Sequence, residues 1–321
     1  MIRDEDHVRA SGRPCKRAEE CWTGASPPEV GQGWRPRDGP REPAGATAAS
    51  CTPVRVPGNS EIIAPEFASE LEWLNVAFLR VDKLIWRKEI LVEFWDFARV
   101  NSLRTLPYLK AWHDRYSARG RRVIGVHTPG YSFGRDPETV ARAVEDLDIP
   151  YAVVLDPAAG VWRRYGNKGW PGRFLFDRRA RLRHVHFGEG EYLETELAIH
   201  ELLLEIDLRI ELPDPLDPLR PEDAPDALLE PQTADIVLPR DRKRLELVRD
   251  WTNGEDFIEA RDAGAAAEAS FSAGAAYAVL SGADLEPGAY ESDGRVVAET
   301  PGVRLHGFQF LPGGPAATEA A

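Results

Sequence analysis

The stretch that decides the fold is ILVEFWDFARVNSLRTLPYL, residues 90–109. It begins with a short apolar run that contains one acid, which is typical of a buried strand. Its second half has leucines at three-residue spacing (Leu103, Leu106 and Leu109), which predicts a helix with one apolar face. A buried strand that leads directly into a helix places residues 98–101 at the helix N-terminus, where backbone N–H groups and the helix dipole favour negative charge.

This stretch resembles the active-site segment of thioredoxin-like proteins, in particular the TlpA/redoxin type with the run F-W-x-x-x-C-x-N-C-x-R-x-L-P. The residues that fit this run are Phe94, Trp95, Asn101, Leu103, Arg104, Leu106 and Pro107. Arg99 and Ser102 stand at the positions of the two cysteines. The family's dithiol chemistry needs an acidic thiolate and a second thiol that resolves the mixed disulfide. The resemblance therefore predicts the fold but not the usual redox activity.

Length and charge limit the classes of protein to consider. A chain of 321 residues suggests two domains with additional segments. Its net charge of −13 argues against nucleic acid or an anionic membrane as the main partner. No apolar run is long enough for a transmembrane helix, and the N-terminus has no secretory apolar region, so a cytoplasmic location is expected. Many relatives of this type work outside the cytoplasm.

Changes in composition divide the chain into five segments. Residues 1–60 are rich in Arg, Pro, Gly, Ala and Ser without periodicity, which predicts a disordered tail. The resemblance predicts a thioredoxin-like α/β domain at 61–210, with a central mixed sheet flanked by helices. Residues 211–239 are dense in Pro and Asp and are predicted to be a linker. A small all-β, sandwich-like domain at 240–312 and a disordered tail at 313–321 complete the prediction.

The only cysteines, Cys15, Cys21 and Cys51, all lie in the N-terminal tail. Their number is odd, and their spacing does not match common metal sites. We interpret them as unpaired thiols, with a redox or metal-binding appendage as the alternative. A further alternative is that translation starts nearer residue 60. The sequence predicts neither a metal nor a cofactor.

Beyond residue 109 the pattern predicts alternating helices and strands. Residues 194–208 are expected to form the last helix, with Leu197, Leu204 and Leu208 inward. In relatives, the proline at the position of Pro171 is cis, so the resemblance implies a cis Trp170–Pro171 bond. The remaining predicted helices are residues 102–116 and 137–147, and the strands are 123–126, 151–155 at an edge, 173–177 and 182–187.

The C-terminal part changes to a period-two pattern, which predicts six to eight short strands in a β-sandwich. Trp251, Gly254 and residues 301–310 resemble the β-domain that follows the thioredoxin domain in DipZ-type disulfide reductases. That domain is similar to carbohydrate-binding modules, which implies a glycan as a possible partner. The clearest strands are residues 245–249, 267–272, 277–280 and 304–310.

Two polar residues of the central stretch invite a pairing hypothesis. By the resemblance, Glu93 is the buried acid that moves protons for the second cysteine. A buried carboxylate must pair or stay protonated. Arg99 is the nearest candidate in the chain, so a partly buried Glu93–Arg99 ion pair is one expectation. A neutral Glu93 with Arg99 in solvent is the other.

Ser102 and His127 are the remaining candidates for chemistry. The Ser102 hydroxyl could steady the thiolate of glutathione, as hydroxyls do in glutathione-transferase-type folds, or serve only at the helix start. His127 follows a predicted strand, where it could act as an acid–base or bond to backbone. His184 and His186 alternate on one strand but have no third ligand nearby.

Two classes of function follow. The first is a redox-inactive member of the family that binds a peptide, small anion or protein partner at the former active-site groove. The second is an enzyme with non-dithiol chemistry, such as glutathione-linked transfer that uses Ser102 and Arg99. Glycan binding by the β-domain could accompany either class. The residues expected to line the groove are Trp95, Phe97, Asn101, Tyr131, Trp170 and Pro171.

Overall fold

The computed structural model describes residues 62–313 and the backbone of Val8–Arg9, a short strand (β1). Apart from β1, the predicted tails lie outside the described residues, with residue 313 as the last one described. The described part includes none of the three cysteines. Within it, no helix is both long enough and apolar enough to cross a bilayer.

The first domain alternates strands with helices, as the sequence predicts. Short 3-10 turns lie at Ser117–Arg119 and Ser132–Arg135. The helices are α1 Val81–Leu84, α2 Val100–Tyr116, α3 Pro137–Asp146, α4 Gly160–Tyr165 and α5 Tyr192–Ile206. The strands are β2 Trp73–Leu74, β3 Glu89–Trp95, β4 Arg121–His127, β5 Ala152–Leu155, β6 Gly172–Phe176 and β7 Leu182–Phe187.

These strands form one mixed sheet in the order β2-β5-β4-β3-β6-β7. The inner strands β3, β4 and β5 are parallel, while β2, β6 and β7 pair antiparallel. The predicted central mixed sheet flanked by helices is therefore confirmed. The expectation that β5 is an edge strand is wrong, because β2 pairs with its free side through Trp73 and Val154.

The sheet is buried on both faces, which explains the continuous apolar run of β3. Leu91 and Trp95 point to the face covered by α2, α3 and α5, whereas Val92 and Phe94 point to the face covered by α4 and the entry segment. All seven residues of β3 are buried. Glu93 lies on the α2 face of this buried strand, so its carboxylate needs a partner within the protein.

The predicted inner face of the last helix is wrong. Leu197 is 50% exposed and Leu208 is 86% exposed, whereas Ile199 and Leu203 are buried. Leu197 is two residues from Ile199, which is about 200° around the helix, so both cannot face the sheet. Leu208 lies beyond the last helical residue, Ile206.

The segment 211–239 connects the two domains and is held against the first. The Arg220 guanidinium donates to Asp223 and Glu189, and the same Glu189 accepts a 2.6 Å hydrogen bond from Arg104 of α2. The Tyr108 hydroxyl donates to Asp223 at 2.8 Å. These arginine–carboxylate contacts are mostly buried, so they fix the path of the segment across α2.

The second domain is all-β, and its described strands number nine between residues 236 and 311, against the six to eight predicted. They are β8 Ile236–Val237, β9 Leu245–Val248, β10 Trp251–Asn253, β11 Ile258–Ala260, β12 Ala265–Ala269, β13 Ala275–Ser281, β14 Gly288–Ser292, β15 Arg295–Ala298 and β16 Arg304–Leu311.

Two sheets make up this domain, in the orders β1-β15-β12-β9 and β10-β11-β16-β13-β14, with β8 beside β16. Residues from both sheets share one core, including Trp251, Val296 and Phe308. The predicted sandwich-like fold is confirmed. The outward-facing residues Tyr277 and Val279 of β13 belong instead to the core of the first domain. The two domains are therefore joined by a shared apolar cluster.

We expect Gly307→Ala to destabilise the chain by about 1–3 kcal/mol, as overpacking of a core does. A Cβ at Gly307 would lie 2.0 Å from the Ile236 carbonyl oxygen. The pairing of β8 with β16 must therefore open. Urea unfolding of the full chain measures the change. The control is Gly169→Ala, because no atom lies within 4 Å of a Cβ there. Equal stability of the two variants would contradict the prediction.

Candidate functional site

The turn between β3 and α2 is built around the buried carboxylate of Asp96. Its Oδ1 accepts a hydrogen bond from the backbone N–H of Ala98 at 2.7 Å, and its Oδ2 accepts one from the backbone N–H of Gly130. The backbone N–H of Asp96 donates to Ser102 Oγ at 3.4 Å. This carboxylate, which the sequence reasoning missed, ties the start of the helix to the loop after β4.

Arg99 occupies the N-cap position of α2 and lies between two aromatic rings. Its guanidinium carbon is 4.5 Å from the Tyr131 ring centroid and 5.0 Å from that of Trp170. Asp235 Oδ2 lies 4.0 Å from Nη1, and the side chain is 17% exposed. Gly130 leaves room for it, because a Cβ there would lie 2.8 Å from Nε. The ring faces and Asp235 offset the unfavourable helix dipole.

Ser102 lies inside the first turn of α2 and is 1% exposed. Its hydroxyl accepts the hydrogen bond from Asp96 and does not reach the surface. A hydroxyl that steadies a glutathione thiolate must be accessible to that thiol. The glutathione-linked alternative therefore finds no support in the position of Ser102, which serves the local structure of the turn.

The expected Glu93–Arg99 ion pair is wrong, because Glu93 pairs with Arg173. Arg173 Nε is 3.0 Å from Glu93 Oε2, and both side chains are 1% exposed. The two residues stand directly opposite each other in the antiparallel pairing of β3 with β6. Cross-strand neighbours on one face lie close together, whereas Arg99 follows the end of the strand. The nearest residue in the chain was not the nearest in space.

Arg173 is further held by the residues around it. Its Nη1 donates to Thr195 Oγ1 at 3.0 Å, and its guanidinium faces the rings of Trp112 and Tyr192 at 5.1 and 5.6 Å. Burial raises the pKa of Glu93, and the charge and hydrogen bonds of Arg173 oppose that rise. An arginine in a predicted buried strand is the sequence signal that could have identified this pair.

His127 lies at the end of β4, as predicted, but it is 1% exposed. Its ring stacks on Phe97 at 5.5 Å and meets the edge of Trp95 at 5.3 Å. Nε2 has no hydrogen-bond partner and is 4.0 Å from Asp96 Oδ1. Burial lowers the pKa of His127, so the ring is neutral near pH 7. It is a packed core residue in this arrangement and does not present an acid–base group to solvent.

The predicted groove residues come together but do not line an open groove. Trp95, Phe97 and Tyr131 are all buried, and only Asn101 and Trp170 are partly exposed. Trp170 Nε1 donates to the Thr128 carbonyl oxygen at 2.9 Å. The bond between Trp170 and Pro171 is cis, which confirms the expectation from the resemblance.

The second domain covers this face through Gln309 of β16. The Gln309 side-chain amide donates to the Ala98 carbonyl oxygen at 2.6 Å and accepts from the Val100 N–H at 3.0 Å. Both backbone groups belong to the start of α2, and all three residues are buried. The side chain thus satisfies a donor and an acceptor at the point where the helix begins.

Further contacts join the loop after β4 to the second domain. The Ser132 N–H and hydroxyl both donate to the Asp256 carboxylate, at 2.6 and 2.8 Å. The ring of His306 meets those of Tyr131 and Phe133, with centroids 5.5 and 4.9 Å apart. Together with Gln309, these contacts make the predicted groove an interface between the two domains.

Comparison with known proteins agrees with this architecture. No protein-family model matches the chain. DipZ of Mycobacterium tuberculosis (strain CDC 1551 / Oshkosh) is 36% identical over 172 residues, 53% of this chain and 25% of that protein. Thiol-disulfide oxidoreductase YkuV of Bacillus subtilis (strain 168) is 26% identical over 141 residues, 44% of this chain and 94% of that protein. The chain is similar to thioredoxin-like proteins of the TlpA/redoxin type.

The chain spans about a quarter of the length of the DipZ proteins that it matches. The solved structure of a thiol-disulfide isomerase from Corynebacterium glutamicum aligns with 44% of this chain and 96% of that one. The aligned residues are 25% identical, and the TM-score is 0.40.

The described part of the chain holds no group of three or more His, Cys, Asp or Glu side chains suited to a metal ion. The alternating histidines of β7 have other neighbours. His186 Nδ1 is 3.2 Å from Glu191 Oε2, and His184 Nε2 is 3.4 Å from Thr195 Oγ1. His184 is partly buried beside the Arg173 guanidinium, and both effects lower its pKa to about 4. It is neutral at physiological pH.

Proposed function

We propose that this redoxin-type protein acts by binding and performs no dithiol chemistry. Residues 62–313 contain no cysteine. Arg99 and Ser102, which stand where the family has its two cysteines, have structural roles in the turn and at the interface. A disulfide exchange needs a thiolate and a resolving thiol, and neither group is present at this turn.

The acid that would move protons is also committed elsewhere. Glu93 is held by Arg173 through an ion pair that both partners bury completely. A carboxylate with a fixed cationic partner is a poor proton carrier. Protonation of Glu93 would leave the Arg173 guanidinium buried, charged and unpaired. This pairing supports the proposal that the site differs from that of a dithiol enzyme at more than the two cysteine positions.

The observation that carries the proposal is the double hydrogen bond of Gln309 to the start of α2. We propose that the surface which would face a substrate in a redoxin holds the β-domain of the same chain. An external peptide, anion or protein partner would approach beside Trp170, where Arg99 is 17% exposed. Binding there would engage the guanidinium and the indole ring.

Two further expectations from the sequence stay predictions. Glycan binding by the β-domain is the first: Trp251, Tyr277 and Tyr290 are buried, whereas Phe257 and Phe271 are partly exposed. The cytoplasmic location also stays a prediction, and fractionation of cells that express the full-length gene would test it.

The test is insulin reduction by dithiothreitol with the full chain. We expect the unmodified chain to give no rate above background. We expect the Arg99→Cys, Ser102→Cys variant to be slow, because its thiols lie beneath β16. Adding Gln309→Leu should raise its rate at least several-fold, because this change weakens the contact that covers them.

The control replaces Cys15, Cys21 and Cys51 by serine in each version, which removes the thiols outside the described residues. Activity of the unmodified chain that disappears with these serines would overturn the proposal, since dithiol chemistry would then exist in the tail. A Gln309→Leu change that leaves the rate of the double-cysteine variant unaltered would show that the face is not covered.

A further inference from the structure

At the end of the sheet opposite the former active site, two turns bring an exposed indole next to arginines. Trp86 lies in the turn between α1 and β3, and its side chain is 61% exposed. The guanidinium carbons of Arg178 and Arg179, in the β6–β7 turn, lie 5.9 and 5.0 Å from its ring centroid. β3 has seven residues, so this surface is about 20 Å from the turn at Asp96.

The backbone at Trp86 is strained in a way that presents the ring. Its φ is +67°, a region that bulky side chains rarely adopt. The Trp86 N–H donates to the Arg178 carbonyl oxygen, which holds the two turns together. Such a conformation is energetically unfavourable and is often found at functional sites. Glycine or asparagine would suit the turn better, so stability does not explain the exposed tryptophan.

Apolar and basic residues extend this surface on either side. Ile62 and Ile63 are 49% and 46% exposed and run beside the β6–β7 turn, where the Ile62 carbonyl oxygen accepts from the Leu182 N–H. Arg87 is exposed next to Trp86. Within residues 62–313, Arg87, Arg178 and Arg179 form no ion pair with a carboxylate. We call Ile62, Ile63, Trp86, Arg87, Arg178 and Arg179 the Trp86 surface.

We infer that the Trp86 surface binds an anionic phospholipid bilayer. Tryptophan is the residue that favours the membrane–water interface, exposed isoleucines gain from burial among acyl chains, and arginines attract phosphate headgroups. The net charge of −13 opposes approach of the chain as a whole. Charges farther than about 8 Å from the surface are screened at physiological ionic strength, so the local positive charge decides the contact.

The experiment is co-sedimentation of the full chain with vesicles of phosphatidylcholine alone or with about one third phosphatidylglycerol. We expect binding to the anionic vesicles only, with a blue shift in tryptophan fluorescence that Trp86→Phe reduces. Arg178→Gln with Arg179→Gln should weaken binding roughly 30-fold, since each basic residue near an anionic surface contributes about 1 kcal/mol. Higher salt should weaken it further.

The matched control is Arg240→Gln with Arg261→Gln, which removes the same charge from side chains of the β-domain that are 72% and 58% exposed. It should bind as the unmodified chain does. Circular dichroism confirms that all variants are folded. Absence of binding to anionic vesicles, equal binding to neutral ones, or equal loss in both double variants would each overturn the inference. None of these outcomes bears on the insulin test.

Discussion

Replacing Arg173 by methionine should lower the free energy of unfolding by about 3–5 kcal/mol, because it leaves the Glu93 carboxylate buried without its partner. Both side chains are 1% exposed, and Arg173 Nε is 3.0 Å from Glu93 Oε2. Arg173 also donates to Thr195 Oγ1 and faces the Trp112 ring, so the variant loses these contacts as well. Urea unfolding of the full chain followed by circular dichroism measures the loss.

This loss should depend on pH in a defined direction. Burial raises the pKa of Glu93, and in the variant the opposing effect of Arg173 is gone. A carboxyl whose pKa is higher in the folded than in the unfolded state destabilises the fold as pH rises above the unfolded value of about 4.3. The Arg173→Met variant should therefore lose most stability near pH 8 and least near pH 4.

Two matched variants separate the pair from the packing. The double variant Glu93→Leu, Arg173→Met removes both charges and should recover most of the stability, since an apolar pair often replaces a buried ion pair without loss. Arg183→Met removes a half-exposed arginine that pairs with Glu201 and Glu205, and should cost less than about 1 kcal/mol. A double variant as unstable as Arg173→Met alone would contradict the pairing account.

Replacing Gln309 by leucine should lower the free energy of unfolding by about 2–4 kcal/mol. The Ala98 carbonyl and the Val100 N–H would lose their partner, and each buried group left unsatisfied costs about 1–3 kcal/mol. Leucine has a similar shape, so the change removes the hydrogen bonds and little of the packing. Hydrogen exchange at the Val100 amide should become faster at the same time, which distinguishes this contact from a general loss of stability.

The control variant is Gln309→Glu, which keeps an acceptor for the Val100 N–H but loses the donor to Ala98. A carboxylate near the helix N-terminus gains from the dipole, so this variant should lie between the leucine variant and the unmodified chain. If Gln309→Leu changes neither the stability nor the exchange of the Val100 amide, the hydrogen bonds to α2 do not form in solution.

The sequence was sufficient to predict the structural features that depend on residues close together in the chain. The apolar run at 90–95 and the leucines after it predicted β3 and α2, because these patterns reflect burial of whole elements. The positions of Arg99 and Ser102 at the helix start followed directly. The cis bond at Pro171 came from the resemblance and is confirmed.

The contacts that the sequence did not predict depend on the register of paired strands and on how the β-domain docks on the first domain. Glu93 meets Arg173 because two strands 80 residues apart pair with these residues opposite each other. Gln309 meets Val100 across 209 residues, because the outer face of a sandwich sheet docks on another domain. The period-two pattern of β16 predicts which residues alternate, but it contains no information about what covers the outer face.

The apolar cluster shared by the two domains bears on how the chain unfolds. Tyr277, Val279 and Leu311 of the second domain belong to the same buried cluster as Leu106 and Trp112 of α2. A cut within residues 211–239 would expose this cluster on both products. Calorimetry should therefore show one cooperative transition for residues 62–313, with no separate melting of the β-domain. We therefore expect the two domains to unfold as a single cooperative unit.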